Sequence, residues 1–333
     1  MGKFDHPNIQ KFANEISIRE YSSKFRKEWD KFISESKNGT FLFYRNYMEY
    51  HSDRFEDHSL MFFYKNTLVG VMPANIEKDK IYSHAGLTYG GVVSGNKMRT
   101  PVMMGLFKAL TSYLEDMGIT KLVYKPVPHI YHIIPAEEDL YALFRFGARL
   151  IRRDVSSTID LTEKIRFSSG RRRSIKNAKS HGLVIKQTDD FDTYMSIVEE
   201  NLRKKYGVKP THTADEIKLL ASRFPEHIKL FAVYYKGEMV AGVIMYESNK
   251  KVAHAQYIAS NEIGKELYAL DYLFDYLINE YYSRINPRKY FDFGISTENE
   301  GKYLNFDLIT YKEQFGARAT VYDRYELKIG DEI

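Results

Sequence analysis

Two stretches of this chain, offset by 170 residues, carry the same order of elements, and that duplication restricts the fold more than any single motif. Residues 60–91 read LMFFYKNTLVGVMPANIEKDKIYSHAGLTYGG, and residues 230–262 read LFAVYYKGEMVAGVIMYESNKKVAHAQYIASNE. Each runs an apolar strand, a Lys-Asn or Lys-Gly turn, a second apolar strand with an interior glycine, a charged turn, and a third strand containing His. The turn residues suit tight antiparallel hairpins, because Asn and Gly accept positive φ. A helix follows each copy. In the first, TPVMMGLFKALTSYLEDMG has Pro101 in its first turn and Gly118 as its stop. In the second, GKELYALDYLFDYLINEYYS shows apolar residues at helical spacing. A further strand comes next, TKLVYKP or KYFDFGIS, and each copy closes on a shared phrase, FRFGARLIRR or EQFGARATVY. At 333 residues the chain holds two such units without disulfide or metal staples.

The region between the copies, roughly 161–225, reads as helical. A first helix runs up to Gly182, a second covers DDFDTYMSIVEENLRKKYG, and a third starts at a capping box formed by Thr213 and Glu216. Near the start of the chain, Phe25, Trp29, Phe32 and Ile33 mark one face of another helix.

Several chemistries are excluded at this level. There is no cysteine, so disulfides, thiolate metal sites and a Cys nucleophile are ruled out. The ten His are scattered without HxxxH or HxH spacing, which predicts no metal site. No Walker loop, dinucleotide fingerprint or GxSxG elbow occurs. No apolar run has signal-peptide or membrane-span length, so no membrane span and a cytoplasmic location are expected.

Charge is concentrated in one place. Between Lys164 and Lys179 stand seven Lys/Arg and no acidic residue, more than the net charge of +5 carried by the whole chain. Such a run is either a solvated helix face or a site for phosphate oxygens. Arg172, Lys176 and Lys179 share one helical stripe, and Arg172 and Arg173 are the residues expected to face a ligand.

The duplicated order strand–strand–strand–helix–strand–helix–strand resembles tandem GNAT-type acyltransferases. It is also similar to the Fem family, which moves amino acids from aminoacyl-tRNA onto peptidoglycan precursors. The Fem-like pattern R-x-x-I-x-x-A-x-x-x-G stands here as Arg172, Ile175, Ala178 and Gly182. KKYGVKPTHT, AHAQYIAS, FDFGIST and YKEQFGA resemble Fem-like GNAT proteins found among bacterial surface-polysaccharide genes. The resemblance implies an α/β fold, an α+β mixed sheet in two tandem GNAT-like domains with a helical connection. Their ranges would be residues 1–160 and 161–333, the second binding the donor. It implies an N-acyltransferase that moves an acyl group from acyl-CoA, acetyl-CoA first, to an amine. The acceptor would be an amino sugar, nucleotide-linked, in surface-polysaccharide biosynthesis. The alternatives are a Fem-like transferase using aminoacyl-tRNA, and a binding module without catalysis. The usual GNAT pyrophosphate loop, R/Q-x-x-G-x-G/A, is replaced by SNEIGKELYA, with one glycine ahead of the helix.

Within that frame, the donor is expected at Ile258, Ser260, Gly264, Lys265 and Glu266, where a helix start offers N–H groups to a pyrophosphate. Strand alternation places His254, Gln256 and Ile258 on one side, and Ala253, Ala255 and Tyr257 on the other. His254 and Gln256 are candidates for the acceptor pocket, and Tyr257 for protonating a leaving group. His212, on a Pro-containing loop, is the first candidate base. Asp292, set between two phenylalanines, and Glu298, in the polar loop after it, are further catalytic candidates. Arg172, Arg173, Lys176, Lys205, Tyr206 and Asn305 complete the expected substrate contacts. In the first copy, the glycines of HAGLTYGG leave room beside His84 for a ligand, or form only a turn.

Overall fold

The computed structural model describes residues 7–330. The chain forms two compact units. One comprises the residues up to Asp154, Glu300–Lys302 and the tail from Val321; the other comprises Val155–Asn299 and Tyr303–Thr320.

Both units are built on the repeated phrase. In the first, Leu60–Tyr64 pairs antiparallel with Ile16–Glu20 on one side and Thr67–Met72 on the other. The hairpin turns through Lys65 and Asn66, both at positive φ. In the second, Ile228–Tyr235 turns through Lys236 and Gly237, also at positive φ, into Glu238–Glu247. Two successive positive-φ residues match the right-handed strand twist, which is why this dipeptide chemistry recurs. Each unit then places its third strand parallel to the strand after the crossover helix. Lys80–Tyr82 lies beside Lys121–Tyr124 in the first unit, and Val252–Ser260 beside Tyr290–Ile295 in the second. Gly147 and Gly316, both at positive φ, end the following helices within the two FGAR phrases.

Helix Thr100–Asp116 buries Val102, Met103, Leu106, Phe107, Leu110 and Leu114 against Phe62, Leu122 and Phe146 in the first core. In the second unit, Phe231, Val243, Met245, Ala253, Phe291 and Phe293 face Ile175, Ala178, Leu273, Phe274 and Phe315. The opposite face of that sheet carries helix Phe191–Tyr206, whose fully buried Tyr194 places its hydroxyl 2.9 Å from the Gly242 carbonyl.

The structure departs from the expected elements in three places. The connecting region contains a strand, Val184–Thr188, paired antiparallel with Ile228–Tyr235. Its mixed exposure leaves no alternation to read, and pairing on an open sheet edge supplies its order. The single helix expected over residues 264–283 is three pieces. Glu262–Glu266 stops at Tyr268, which sits at positive φ; Ala269–Tyr276 follows, and Leu277–Ile285 widens into a π-helix. The capping box at Thr213 and Glu216 forms as expected.

The third departure concerns the basic helix, Ser169–Lys179. Its anchored arginine is Arg171, which donates to both Asp271 oxygens at 2.8 and 2.7 Å and to Gln314 at 2.8 Å. The guanidinium lies 4.4 Å from the centre of the Tyr311 ring, and Tyr311 donates to Asp271. Arg172 and Arg173 are exposed. Removing one partner of a buried ion pair strands the other charge. Arg171→Met is therefore expected to cost about 3 kcal/mol in urea unfolding, whereas Arg172→Met stays within about 0.5 kcal/mol. Equal losses for the two variants would show that the Arg171–Asp271 pair does not anchor the helix.

Candidate active site

The parallel strands of the second unit pair over only three positions, Val252 with Tyr290, Ala253 with Phe291, and His254 with Asp292, and then diverge. Residues paired across a ladder share a face, so His254 and Asp292 meet where the fork opens. Phe291 and Phe293 point into the core, which turns Asp292 the other way, as the alternation predicts.

Asp292 is completely buried and fully engaged. Its Oδ1 accepts from Ser156 Oγ at 2.6 Å and Thr158 Oγ1 at 2.9 Å, and its Oδ2 lies 2.7 Å from His254 Nδ1. A buried carboxylate needs such partners. The neutral His254 ring must place its proton on Nδ1, facing the carboxylate, and its lone pair on Nε2. The His254 side chain keeps 12% of its surface exposed. Gly294, at φ 78, stands two residues after Asp292, and a Cβ there would lie 3.3 Å from His254 Cε1. A side chain at that position is disfavoured by both backbone and neighbour.

Lys312 closes the group from below. Buried on helix Phe306–Glu313, it donates from Nζ to the carbonyls of Gly294 and Ile295, both at 2.8 Å. Burial pushes its pKa down to about 8, against the pull of Asp292. An ammonium has three donors, and these carbonyls occupy two.

The ladder between Glu238–Glu247 and Val252–Ser260 slips at the next step. Ala255 faces Met245 and Tyr257 faces Ile244, so Gln256 is an extra residue, a β-bulge. The bulge overturns the expected alternation. Tyr257 joins His254 on one face, while Ile258 packs toward the core with Ala253 and Ala255. Tyr257 Oη lies 2.7 Å from His212 Nδ1 and accepts from the His212 backbone N–H at 3.2 Å. Burial raises the Tyr257 pKa, so the phenol keeps its proton. His212 and Tyr257, expected separately, thus form one pair.

Of the residues expected to hold a pyrophosphate, Gly264 and Ser260 are engaged by neighbouring elements. A Cβ on Gly264 would lie 2.3 Å from the Val240 carbonyl, so helix-on-strand contact requires this glycine. The Gly264 N–H is taken by Asn261 Oδ1 at 2.9 Å, and the Ser260 carbonyl accepts from Asn201 at 2.9 Å. Lys265 pairs with Glu262 at 2.8 Å, and Glu266 is exposed. Asn305 caps its helix through Leu308 N and donates to Glu298 Oε1 at 2.8 Å. Lys205 is exposed in the last turn of helix Phe191–Tyr206, and the Tyr206 side chain lies outside the described residues.

Arg172 and Lys179 line a cavity of about 390 Å³ with Ile159, Phe167, Ile175 and Phe315; Lys176 does not line it. Those apolar residues belong to the core on the sheet face opposite His254. The basic stripe and the His–Asp pair therefore occupy different faces of the second unit. Ser156, Thr158, Gly294 and Lys312 escaped the sequence reading. The run of buried hydroxyls at Ser156, Ser157 and Thr158 was the available signal, since polar residues in a buried strand need partners.

Among the described residues no group of His, Cys, Asp or Glu could hold a metal ion, and no helix is long and apolar enough to cross a membrane. Residues 166–313 match the family described as an acetyltransferase (GNAT) domain. The chain is similar in structure to FemX, at 10% identity over 92% of this chain and 96% of that one, with a TM-score of 0.66. It is similar to L-PGS from Bacillus licheniformis, at 12% identity over 94% and 93%, with a TM-score of 0.59. A conserved protein of unknown function from Bacteroides thetaiotaomicron aligns over 94% and 99% at 12% identity, with a TM-score of 0.57. No curated protein matches the chain in sequence. Residues 166–313 thus match a GNAT domain, and the chain as a whole shares the fold of FemX, as the repeated phrases implied.

The Asp292 contacts generate a spectroscopic prediction. In Asp292→Asn, the Ser156 and Thr158 hydroxyls hold the amide oxygen where Oδ1 was and turn the NH2 group toward His254. The ring must then accept at Nδ1, moving its proton to Nε2. Nitrogen NMR of the His254 ring is expected to report that tautomer exchange; an unchanged tautomer would mean that Asp292 does not orient the ring.

Proposed function

We propose that the protein transfers an acyl group from an activated ester or thioester to an amine, with the chemistry at the His254–Asp292 fork. The observation that carries this reading is the buried, doubly hydroxyl-bonded Asp292 fixing His254 in a GNAT domain. In the proposed reaction His254 Nε2 takes the proton of the attacking amine, and Asp292 supports the charged ring that results. Backbone N–H groups released by the bulge would stabilise the oxyanion, since a bulge leaves the extra residue outside the ladder. The Lys312 charge supports the same developing negative charge from beneath the fork. Tyr257, kept protonated by burial, would return a proton to the leaving atom.

For the donor, the Glu262–Glu266 region favours an aminoacyl-tRNA ester. Coenzyme A needs a cradle for its pyrophosphate, and here Asn261 and Val240 fill the place where that cradle would form. The likeness to FemX supports the same choice. The second reading, acyl-CoA with a nucleotide-linked amino sugar of surface-polysaccharide biosynthesis, is supported by the acetyltransferase family match. Both donors belong to the cytoplasm, where we place the protein.

The test offers purified protein labelled aminoacyl-tRNA or labelled acetyl-CoA, with amine acceptors that include nucleotide-linked amino sugars. Label is expected to move from tRNA, and transfer from acetyl-CoA alone would establish the second reading. His254→Ala is expected to lower kcat by about 10³-fold, the scale of a lost general base. No transfer from either donor, or full activity in His254→Ala, would overturn the proposed site.

A further inference from the structure

The first unit contains its own fork, and the chemistry there is of the opposite sign. Lys80–Tyr82 and Lys121–Tyr124 run parallel up to the pairing of Tyr82 with Val123. The second unit sets His254 against Asp292 in the last pair of its ladder, whereas the first sets His84 and Lys125 two residues beyond its last pair. The Ser83 hydroxyl accepts from the Lys125 backbone N–H at 2.8 Å, fixing the two strand ends together. His84 is held at φ 66, a left-handed conformation uncommon for residues other than glycine. The loop after it folds over Lys125, whose Nζ donates to the carbonyls of Ala85 and Leu87. A Cβ on Gly86 would lie 2.6 Å from His51 Nε2, so the loop needs its glycine to close down.

The charges at this fork do not balance. Lys125 is 94% buried, and burial, followed by the nearby charges of Arg324 and Arg152, lowers its pKa to about 7. Arg152 is neutralised by Asp154, through bonds of 2.7 and 3.2 Å. Arg324 forms no ion pair among the described residues, and its buried Nε has no hydrogen-bond partner. Asp154 and Glu300 act on Arg324 only at longer range, and burial with Arg152 outweighs them. The buried His84 Nδ1 also lacks a hydrogen-bond partner, and burial beside His51 and Lys125 keeps that ring neutral, with a pKa of about 3. Buried donors without acceptors are costly, and an oxyanion satisfies both donors and charge together.

We propose that the fork of the first unit is a binding site for the oxyanion of a ligand, a phosphate or carboxylate group gripped by Arg324 and Lys125, with His84 lending a neutral N–H. Duplication has thus produced two forks with divided work, one carrying a base and the other an anion receptor. The site stands independently of the reaction assigned to His254, because none of its residues takes part in that chemistry.

The test uses the full chain and two simple probes, inorganic pyrophosphate and malonate, in calorimetric titrations at low salt. At least one probe is expected to bind, and which of them binds more tightly identifies phosphate or carboxylate as the ligand group. Arg324→Gln, a partly exposed position that leaves the core intact, is expected to weaken binding at least tenfold. Lys125→Met keeps the buried volume and is expected to do the same, while Arg172→Gln leaves binding unchanged. Failure of both probes to bind would overturn the proposal. So would wild-type affinity in Arg324→Gln, or loss of binding in Arg172→Gln.

Discussion

A carboxylate without access to water organises the second unit. Asp292 sits between two core phenylalanines on a strand whose other face must satisfy it. The satisfaction comes from three separate places, the Ser156 and Thr158 hydroxyls on one neighbouring strand and the His254 ring on the other. Removing any of these leaves a buried charge short of a partner, so the three strands are held in a single register. The same constraint fixes the tautomer of His254 and therefore its chemistry. Lys312, fastened to the carbonyls just past Asp292, completes the packed group.

Two small backbone devices then decide what the site can do. The bulge at Gln256 turns Tyr257 onto the face of His254. Gly294 keeps the opposite strand clear of the imidazole. Close by, the glycine that suggested a phosphate loop is pressed on the Val240 carbonyl, and an asparagine caps the short helix it belongs to. The glycine of the motif that most resembled a coenzyme A site thus has a packing role of its own.

The two units show what duplication retains and what it releases. Hairpin turns, the parallel pairing beyond a crossover helix and the glycine at the end of the FGAR phrase recur because the backbone needs them. Fork side chains are free of that demand. One copy carries histidine against aspartate, the other histidine near lysine and arginine.

The repeat, its hairpins, the helix caps and the outward turn of Asp292 were legible in the sequence, since each depends on residues within a few positions of one another. The membership of the candidate site was legible only in part. His254, Asp292, Tyr257 and His212 could be singled out, but their pairing could not, because 38 residues separate the first two and 45 the second two. A bulge leaves no mark on a strand read alone, so the face of Tyr257 was assigned wrongly. The basic run drew attention to Arg172, whereas the anchored residue is its neighbour Arg171, chosen by the position of Asp271 a hundred residues away. Local chemistry determined which elements form and where they turn; only the tertiary structure decided which side chains share a desolvated space, because burial and partnership are properties of the packed chain.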